Sequence, residues 1–166
     1  FKLMDWVASV DFQFASGWDD KLIKAVAILE KQLKTCPPGI NPPQPESAKM
    51  LYRGAPVLCQ DFKLLQDALS EGTPLYVRGF WATSTDPDEA NNFILNGPWT
   101  VKEVTWVKYE INYQGVENIG YDIKPFSAFP GENEVLFPPY VEFTVTDISD
   151  APNLGGGAQL VKVTVK

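Results

Sequence analysis

Three places in the chain carry side chains whose types and spacing suit chemistry. Residues 129–139 read FPGENEVLFPP, which sets two carboxylates, Glu132 and Glu134, one residue apart just before an apolar run. Residues 82–86 read ATSTD, a hydroxyl cluster ahead of Pro87, and Arg53 stands in LYRG at residues 51–54. In a strand, alternate side chains share a face, so the spacing predicts both carboxylates on one side, roughly 7 Å apart at the backbone. Like charges held that close disfavour each other unless a cation, or a reaction that develops one, compensates them. Each signal alone has an ordinary reading. An arginine at a strand end is usually a surface residue, Thr-Ser-Thr before Asp-Pro usually caps the next helix, and paired glutamates usually face water. The order and spacing of all three together point to a site.

Composition narrows what that site can do. The 166 residues include no histidine. That removes Ser–His–Asp and Cys–His machinery, His-ligated zinc and the usual acid–base group near neutral pH. The chemistry must run on carboxylates, hydroxyls, arginine and backbone groups. Two cysteines, Cys36 and Cys59, are too few for a structural zinc site and leave one disulfide open as an alternative. The formal net charge is −7, with no run of Lys or Arg, which argues against a nucleic-acid partner. No apolar run reaches the roughly 18 residues of a membrane span, so no span is expected. The chain opens at Phe1 with neither a charged n-region nor an apolar h-region, as a processed product or excised domain would.

Around the three signals, the elements that must hold them read as follows. Residues 19–35, DDKLIKAVAILEKQLKT, put Leu22, Val26, Leu29 and Leu33 on one helical stripe, and CPPGINPPQP then stops the helix. KMLYRG reads as a strand, and DFKLLQDALSEG as a helix with Phe62, Leu65 and Leu69 inward and Gly72 as its stop. TPLYVRGFWATSTDP returns to strand, and DEANNFIL opens a short helix after Asp86-Pro87. From Val101 the pattern is β: VKEVTWVKYEI, EVLFPPYVEFTVTDI and AQLVKVTVK, the last alternating Leu160, Lys162 and Thr164 with Val161, Val163 and Val165. Pro138-Pro139 should interrupt ladder pairing. Trp81, Trp99 and Trp106 are expected in the core, with a place lining the site as the alternative for Trp81 beside the hydroxyls. Helices first and strands later predict an α+β fold with a two-sheet, mostly antiparallel core. Residues 1–49 form a helical lead-in and Pro-rich connector, and residues 50–166 a core, in one domain overall.

The combination of signals resembles the arginine–serine–glutamate class of mono-ADP-ribosyltransferases, the family of vertebrate ecto-enzymes and several bacterial toxins. FPGENEVLFPPYVEF is similar to that family's Glu-x-Glu segment, GFWATSTDPDEANNF to its hydroxyl strand, acidic turn and following helix, and LYRG to its first-strand arginine. The resemblance covers roughly residues 50 to 166 and implies the ADP-ribosyltransferase fold with an NAD cleft. One departure is clear: the family's first serine falls on Ala82, with Thr83 and Ser84 matching the other two positions. Strand parity places Ser84 on the face of Ala82, where it would supply the hydroxyl; the alternative is a site that lacks that bond and turns over more slowly. Arg78, in the echo LYVRG, lies too near Ala82 to be the first-strand arginine and is read as structural.

The resemblance also implies roles. Arg53 would hold the NAD pyrophosphate, for which a guanidinium fork suits better than a lysine. Gly54, Thr83 and Ser84 join it in the NAD site. Glu134, at the ribose 2′-hydroxyl, would stabilise the oxocarbenium-like charge that develops as nicotinamide leaves, and should stay ionised with Arg53 nearby. Glu132 would grip an acceptor guanidinium, because in this family Glu there goes with arginine acceptors. Phe126 and Phe129 resemble the aromatic of the family's substrate-recognition loop, with a fold onto the core as the alternative. NAD is then a substrate and no metal is implied. The acceptor is a protein arginine, on actin or a small GTPase among relatives, and the setting is secreted or host-directed. NAD hydrolysis is a near variant. Two other classes stay open: an inactive or weakly active NAD- or protein-binding module on the same fold, and a carboxylate-pair glycoside hydrolase.

Overall fold

The computed structural model describes residues 50–77, 79–97, 103–113, 120–124, 127 and 129–165. The expected first helix, the Pro-rich connector, Cys36, Arg78, Trp99 and Phe126 lie outside the described residues. The described chain runs β1 (Met50–Leu58), α1 (Cys59–Glu71), β2 (Leu75–Tyr76), β3 (Trp81–Ser84), α2 (Pro87–Leu95), β4 (Val104–Asn112) and β5 (Tyr121–Asp122). A 3-10 turn (Pro130–Glu132) then leads into β6 (Glu134–Phe137), followed by β7 (Glu142–Asp150), a second 3-10 turn (Pro152–Leu154) and β8 (Gln159–Val165).

Eight strands join in the order β2-β7-β8-β4-β1-β3-β6-β5, antiparallel except where β4 meets β8. The expected two layers arise from this one sheet folding over on itself. Strands β3 and β7 stand four steps apart in the order, which in a flat sheet is roughly 19 Å. Yet the rings of Trp81 on β3 and Phe143 on β7 stack with centroids 5.4 Å apart. Between the layers lies the main core, with Leu51, Ala55 and Val57 of β1, Val107, Tyr109 and Ile111 of β4, and Val161, Val163 and Val165 of β8. The apolar alternation read in β8 is therefore the inward face of the fold. Trp81 and Trp106 are both buried, as expected of core aromatics.

The fold line runs beside β1. This strand pairs with β4 along its whole length but with β3 only at Tyr52↔Ser84. Beyond that bridge the two strands part, and Pro56, which has no N–H to offer a neighbour, sits on the stretch where β3 is missing. Helix α1 brings Leu65 and Ala68 into the core, with Phe62 and Leu69 packed against it, and ends on Gly72 at φ 67°, a left-handed cap that suits glycine. Helix α2 begins at Pro87, with Asp86 as its N-cap accepting from the Asp88 N–H at 2.9 Å. It crosses β1 so closely that a Cβ on Gly54 would run into the Ala90 carbonyl and Ile94.

Three sequence expectations are corrected in detail. The strand expected over residues 73–87 is two short strands, β2 and β3, on distant positions of the sheet. The long β run from Glu134 is cut at Pro138–Val141, where Tyr140 takes φ 67° and its N–H donates to the Val77 carbonyl at 2.6 Å. Finally, Glu132 and Glu134 do not share a strand. Glu132 closes a 3-10 turn and Asn133 is left-handed at φ 48°, ψ 48°, so strand parity begins only at Glu134.

Candidate active site

Strand β6 lies between β3 and β5 and carries Glu134 as its first residue. Register sets Glu134 directly across from Ser84, and Ser84 directly across from Tyr52, so one line crosses three strands at the end of the split. Residues opposite one another in a ladder project to the same face. The hydroxyls of β3 lock this region. Thr83 Oγ1 donates to the Val135 carbonyl at 2.7 Å, and Ser84 Oγ donates to the Glu132 carbonyl at 2.6 Å while accepting from the Asp86 N–H at 2.9 Å. Thr83 and Ser84 are the buried polar residues among those described, and each is satisfied by these bonds, as burial requires. Ala82, where the resembling family has serine, packs its methyl against Phe80, Tyr121, Ile123 and Leu136.

Arg53 occupies the split itself. Its Nη1 donates to the Ala82 carbonyl at 2.7 Å, so a guanidinium satisfies a strand carbonyl where β1 has drawn away. Gly54 beside it is pressed under α2, and that packing by itself accounts for a residue without a side chain.

The two carboxylates sit in different surroundings. Glu134 is half-buried, and burial is the main reason its carboxyl is held above the ordinary range. The negative charge of Glu132 pushes it further up, while the Arg53 cation pulls it back. The expected influence of Arg53 is thus present, but desolvation outweighs it. Glu132 is exposed at the end of its turn, and Phe129, 67% exposed, stands at the other end of the same turn. Its ring is therefore not folded onto the core. One dry carboxylate suits a buried developing cation, and one wet carboxylate suits a solvated partner arriving from outside. Among the described residues no group of His, Cys, Asp or Glu is placed to hold a metal ion.

Sequence reasoning missed Asn133 and Lys124. Lys124 Nζ donates to Asn133 Oδ1 at 2.8 Å, and Asn133 Nδ2 donates to the Gly131 carbonyl at 3.1 Å. The sequence did hold a signal: an asparagine between a Pro-Gly turn and a strand is among the residues that tolerate the left-handed region.

The sequence family described as NAD:arginine ADP-ribosyltransferase matches residues 116–155. No curated protein matches the chain. Among solved structures, the ADP-ribosyltransferase Vis, a toxin from Vibrio splendidus solved with an inhibitor, superposes with a TM-score of 0.67 at 22% identity, covering 99% of this chain and 67% of that one. HopU1 of Pseudomonas syringae pv. tomato gives 0.64 at 20% identity, covering 99% of this chain and 65% of that one. A structure of Vis with agmatine gives 0.59 at 22% identity, covering 99% and 81%. The chain thus spans about two thirds of the inhibitor-bound Vis chain and of the HopU1 chain. By these likenesses the chain has the fold of the ADP-ribosyltransferases, and its Glu132–Glu134 segment lies inside the stretch that matches the NAD:arginine ADP-ribosyltransferase family.

Proposed function

We propose that this chain transfers ADP-ribose from NAD to an arginine side chain of a target protein and releases nicotinamide. The observation that carries this reading is the placement of three charges around one split in the sheet. Arg53 bridges the split to the Ala82 carbonyl, half-buried Glu134 feels its charge from β6, and exposed Glu132 closes the adjoining turn. In the reading, Arg53 neutralises the NAD pyrophosphate while its Nη1 stays anchored. Glu134 stabilises the positive charge that grows on the ribose as the nicotinamide bond breaks. Glu132 pairs with the incoming guanidinium and presents one nitrogen to the ribose carbon, and as the new bond forms that nitrogen passes its proton to the Glu132 carboxylate, which returns it to water. Ser84 holds the turn at the Glu132 carbonyl, Thr83 holds β6, and Phe129 faces the acceptor protein. The agmatine seen with Vis supports a guanidinium acceptor, and the toxin among the similar folds supports a secreted, host-directed role. Without an acceptor, water takes the ADP-ribose.

A second reading, a weakly active or inactive NAD-binding module, is favoured by one observation: Ala82 brings a methyl where the family has a hydroxyl, and the Ser84 hydroxyl already serves the Glu132 carbonyl. One experiment separates the two. Nicotinamide release from NAD is measured with and without agmatine, on the wild type, Glu132→Ala and Glu134→Ala, beside NAD binding by calorimetry. The transferase reading expects modified agmatine, loss of all turnover in Glu134→Ala, and loss of transfer with hydrolysis kept in Glu132→Ala. NAD binding without turnover in the wild type would establish the module instead.

A further inference from the structure

Resting on the transferase reading, we infer that Lys124 is a positioning residue for the acceptor arginine, acting through Asn133 on the carboxylate of Glu132. The chain reverses its backbone habit between the two glutamates, from a 3-10 turn to a strand, through Asn133 alone. Three bonds hold Asn133 in that left-handed state. Its side-chain carbonyl accepts from Lys124 Nζ at 2.8 Å, its side-chain amide donates to the Gly131 carbonyl at 3.1 Å, and its main-chain carbonyl accepts from the Thr85 N–H at 3.2 Å.

Lys124 has a firm footing for this. It stands two residues past the end of β5, its own N–H donates to Asp122 Oδ1 at 2.9 Å, and the N–H of neighbouring Ile123 donates to the Glu134 carbonyl at 3.1 Å. The lysine therefore reaches from the same ladder that fixes Glu134 across to the turn that ends in Glu132. It clasps the turn of the exposed carboxylate to the frame of the half-buried one and sets the angle between them. Transfer requires that angle, since the guanidinium gripped by Glu132 must meet the ribose held at Glu134. Hydrolysis does not, because water needs no grip.

Charge alone would give the opposite sign. A cation beside an acceptor site repels a cationic acceptor, so removing Lys124 for its charge would lower the KM for agmatine. Removing it as a clasp raises that KM. The test is Lys124→Met, Lys124→Arg, Asn133→Gly and the Lys124→Met/Asn133→Gly double variant, all at exposed or half-exposed positions. Glycine keeps the left-handed backbone while deleting both side-chain bonds. In Lys124→Met, KM for agmatine should rise about three- to tenfold, the loss of one charge-assisted hydrogen bond at a wet site, with kcat of NAD hydrolysis changed by less than about twofold. Lys124→Arg, which keeps donors, should recover most of the loss. The double variant should be no worse than Asn133→Gly, because both act through one residue.

Amide exchange by NMR gives a readout that does not depend on turnover. The Thr85 N–H, bonded to the Asn133 carbonyl, and the Glu132 N–H, bonded to the Phe129 carbonyl at 3.0 Å, should both exchange faster in Lys124→Met. Unchanged exchange, an agmatine KM that falls or stays put, or fully additive effects in the double variant would each overturn the proposal. A wild type that does not turn over NAD would sink the transferase reading and the acceptor role with it, while exchange would still report whether the clasp exists.

Discussion

Glu132 and Glu134 are two residues apart in sequence and live in different parts of the molecule. Glu134 opens a strand paired on both sides, with β3 tied to it by Thr83 and β5 by the Ile123 N–H. Glu132 ends a turn tied to its surroundings by its own carbonyl at Ser84, by the Asn133 carbonyl at Thr85 and by the Asn133 side chain at Lys124. One carboxylate is built into the frame and partly desolvated, the other is hung beside it in water. Set side by side, the two carboxylates let one small sheet serve two demands. A transition state of fixed geometry wants preorganised charge, and a protein acceptor wants a surface that it can reach.

The largest effect should come from the framed carboxylate. Glu134→Gln keeps the shape and loses the charge, so nicotinamide release should fall by about 10²–10³ in kcat, the usual loss for one preorganised electrostatic group, while calorimetry still finds NAD bound. The same change should raise the melting temperature at neutral pH. The sign follows from the direction of the shift: a carboxyl held above its ordinary range stabilises the fold when protonated, below the unfolded-state value, and that stability is lost as pH rises through the folded-state value. At neutral pH the ionised Glu134 is a net cost to the fold, which Gln removes. A Glu134→Gln protein that melts no higher than wild type would mean the carboxylate is as well solvated as Glu132, and the contrast between the two would collapse.

A middling effect should come from the frame. Thr83→Val swaps shape for shape but deletes the donor to the Val135 carbonyl at a buried position. The carbonyl keeps its place in the β3–β6 ladder and loses one of its two donors, which costs about 0.5–1.5 kcal/mol of stability, read as a lower denaturation midpoint with unchanged slope. Ser84→Ala should cost less stability but hit the turn, because Ser84 bonds the Glu132 carbonyl and the Asp86 N–H near its edge. If Thr83→Val disturbs transfer and spares stability, frame and turn are not the separate units described.

The frame was the more legible of the two in the sequence, for a physical reason. The alternation in β8, the cap at Asp86-Pro87, the stop at Gly72 and the proline break after Phe137 are local signals, and each appears where local chemistry puts it. The folding of one sheet into two layers was legible only as an outcome, two apolar faces to be buried, because the split between β1 and β3 lies between strands far apart in sequence, with Arg53 bonding a carbonyl 29 residues away. Within the candidate site, the Glu pair, Arg53 and the hydroxyls were visible as residue types. Their conformations were not, since a period-two reading assumes a strand, whereas Asn133 is left-handed and bonded to Lys124, Gly131 and Thr85.

The smallest effect tests whether the wet carboxylate and the dry one sense each other. In the proposed reaction hydrolysis needs Glu134 ionised, so its rate should fall on the acid side along a limb that lies above the ordinary carboxylate range. Glu132→Gln removes the neighbouring negative charge that helps raise the Glu134 carboxyl, so the limb should move to lower pH, measured as kcat/KM for NAD without acceptor. Salt should separate the contributions. Glu132 is exposed and its field is screened at high ionic strength, whereas the desolvation of Glu134 is not. The wild-type limb should therefore drift toward that of Glu132→Gln as salt is added, and the variant's limb should hardly move. A limb indifferent to both the substitution and the salt would mean that burial and the Arg53 cation set the Glu134 carboxyl between them, and that the charge of Glu132 does not reach it.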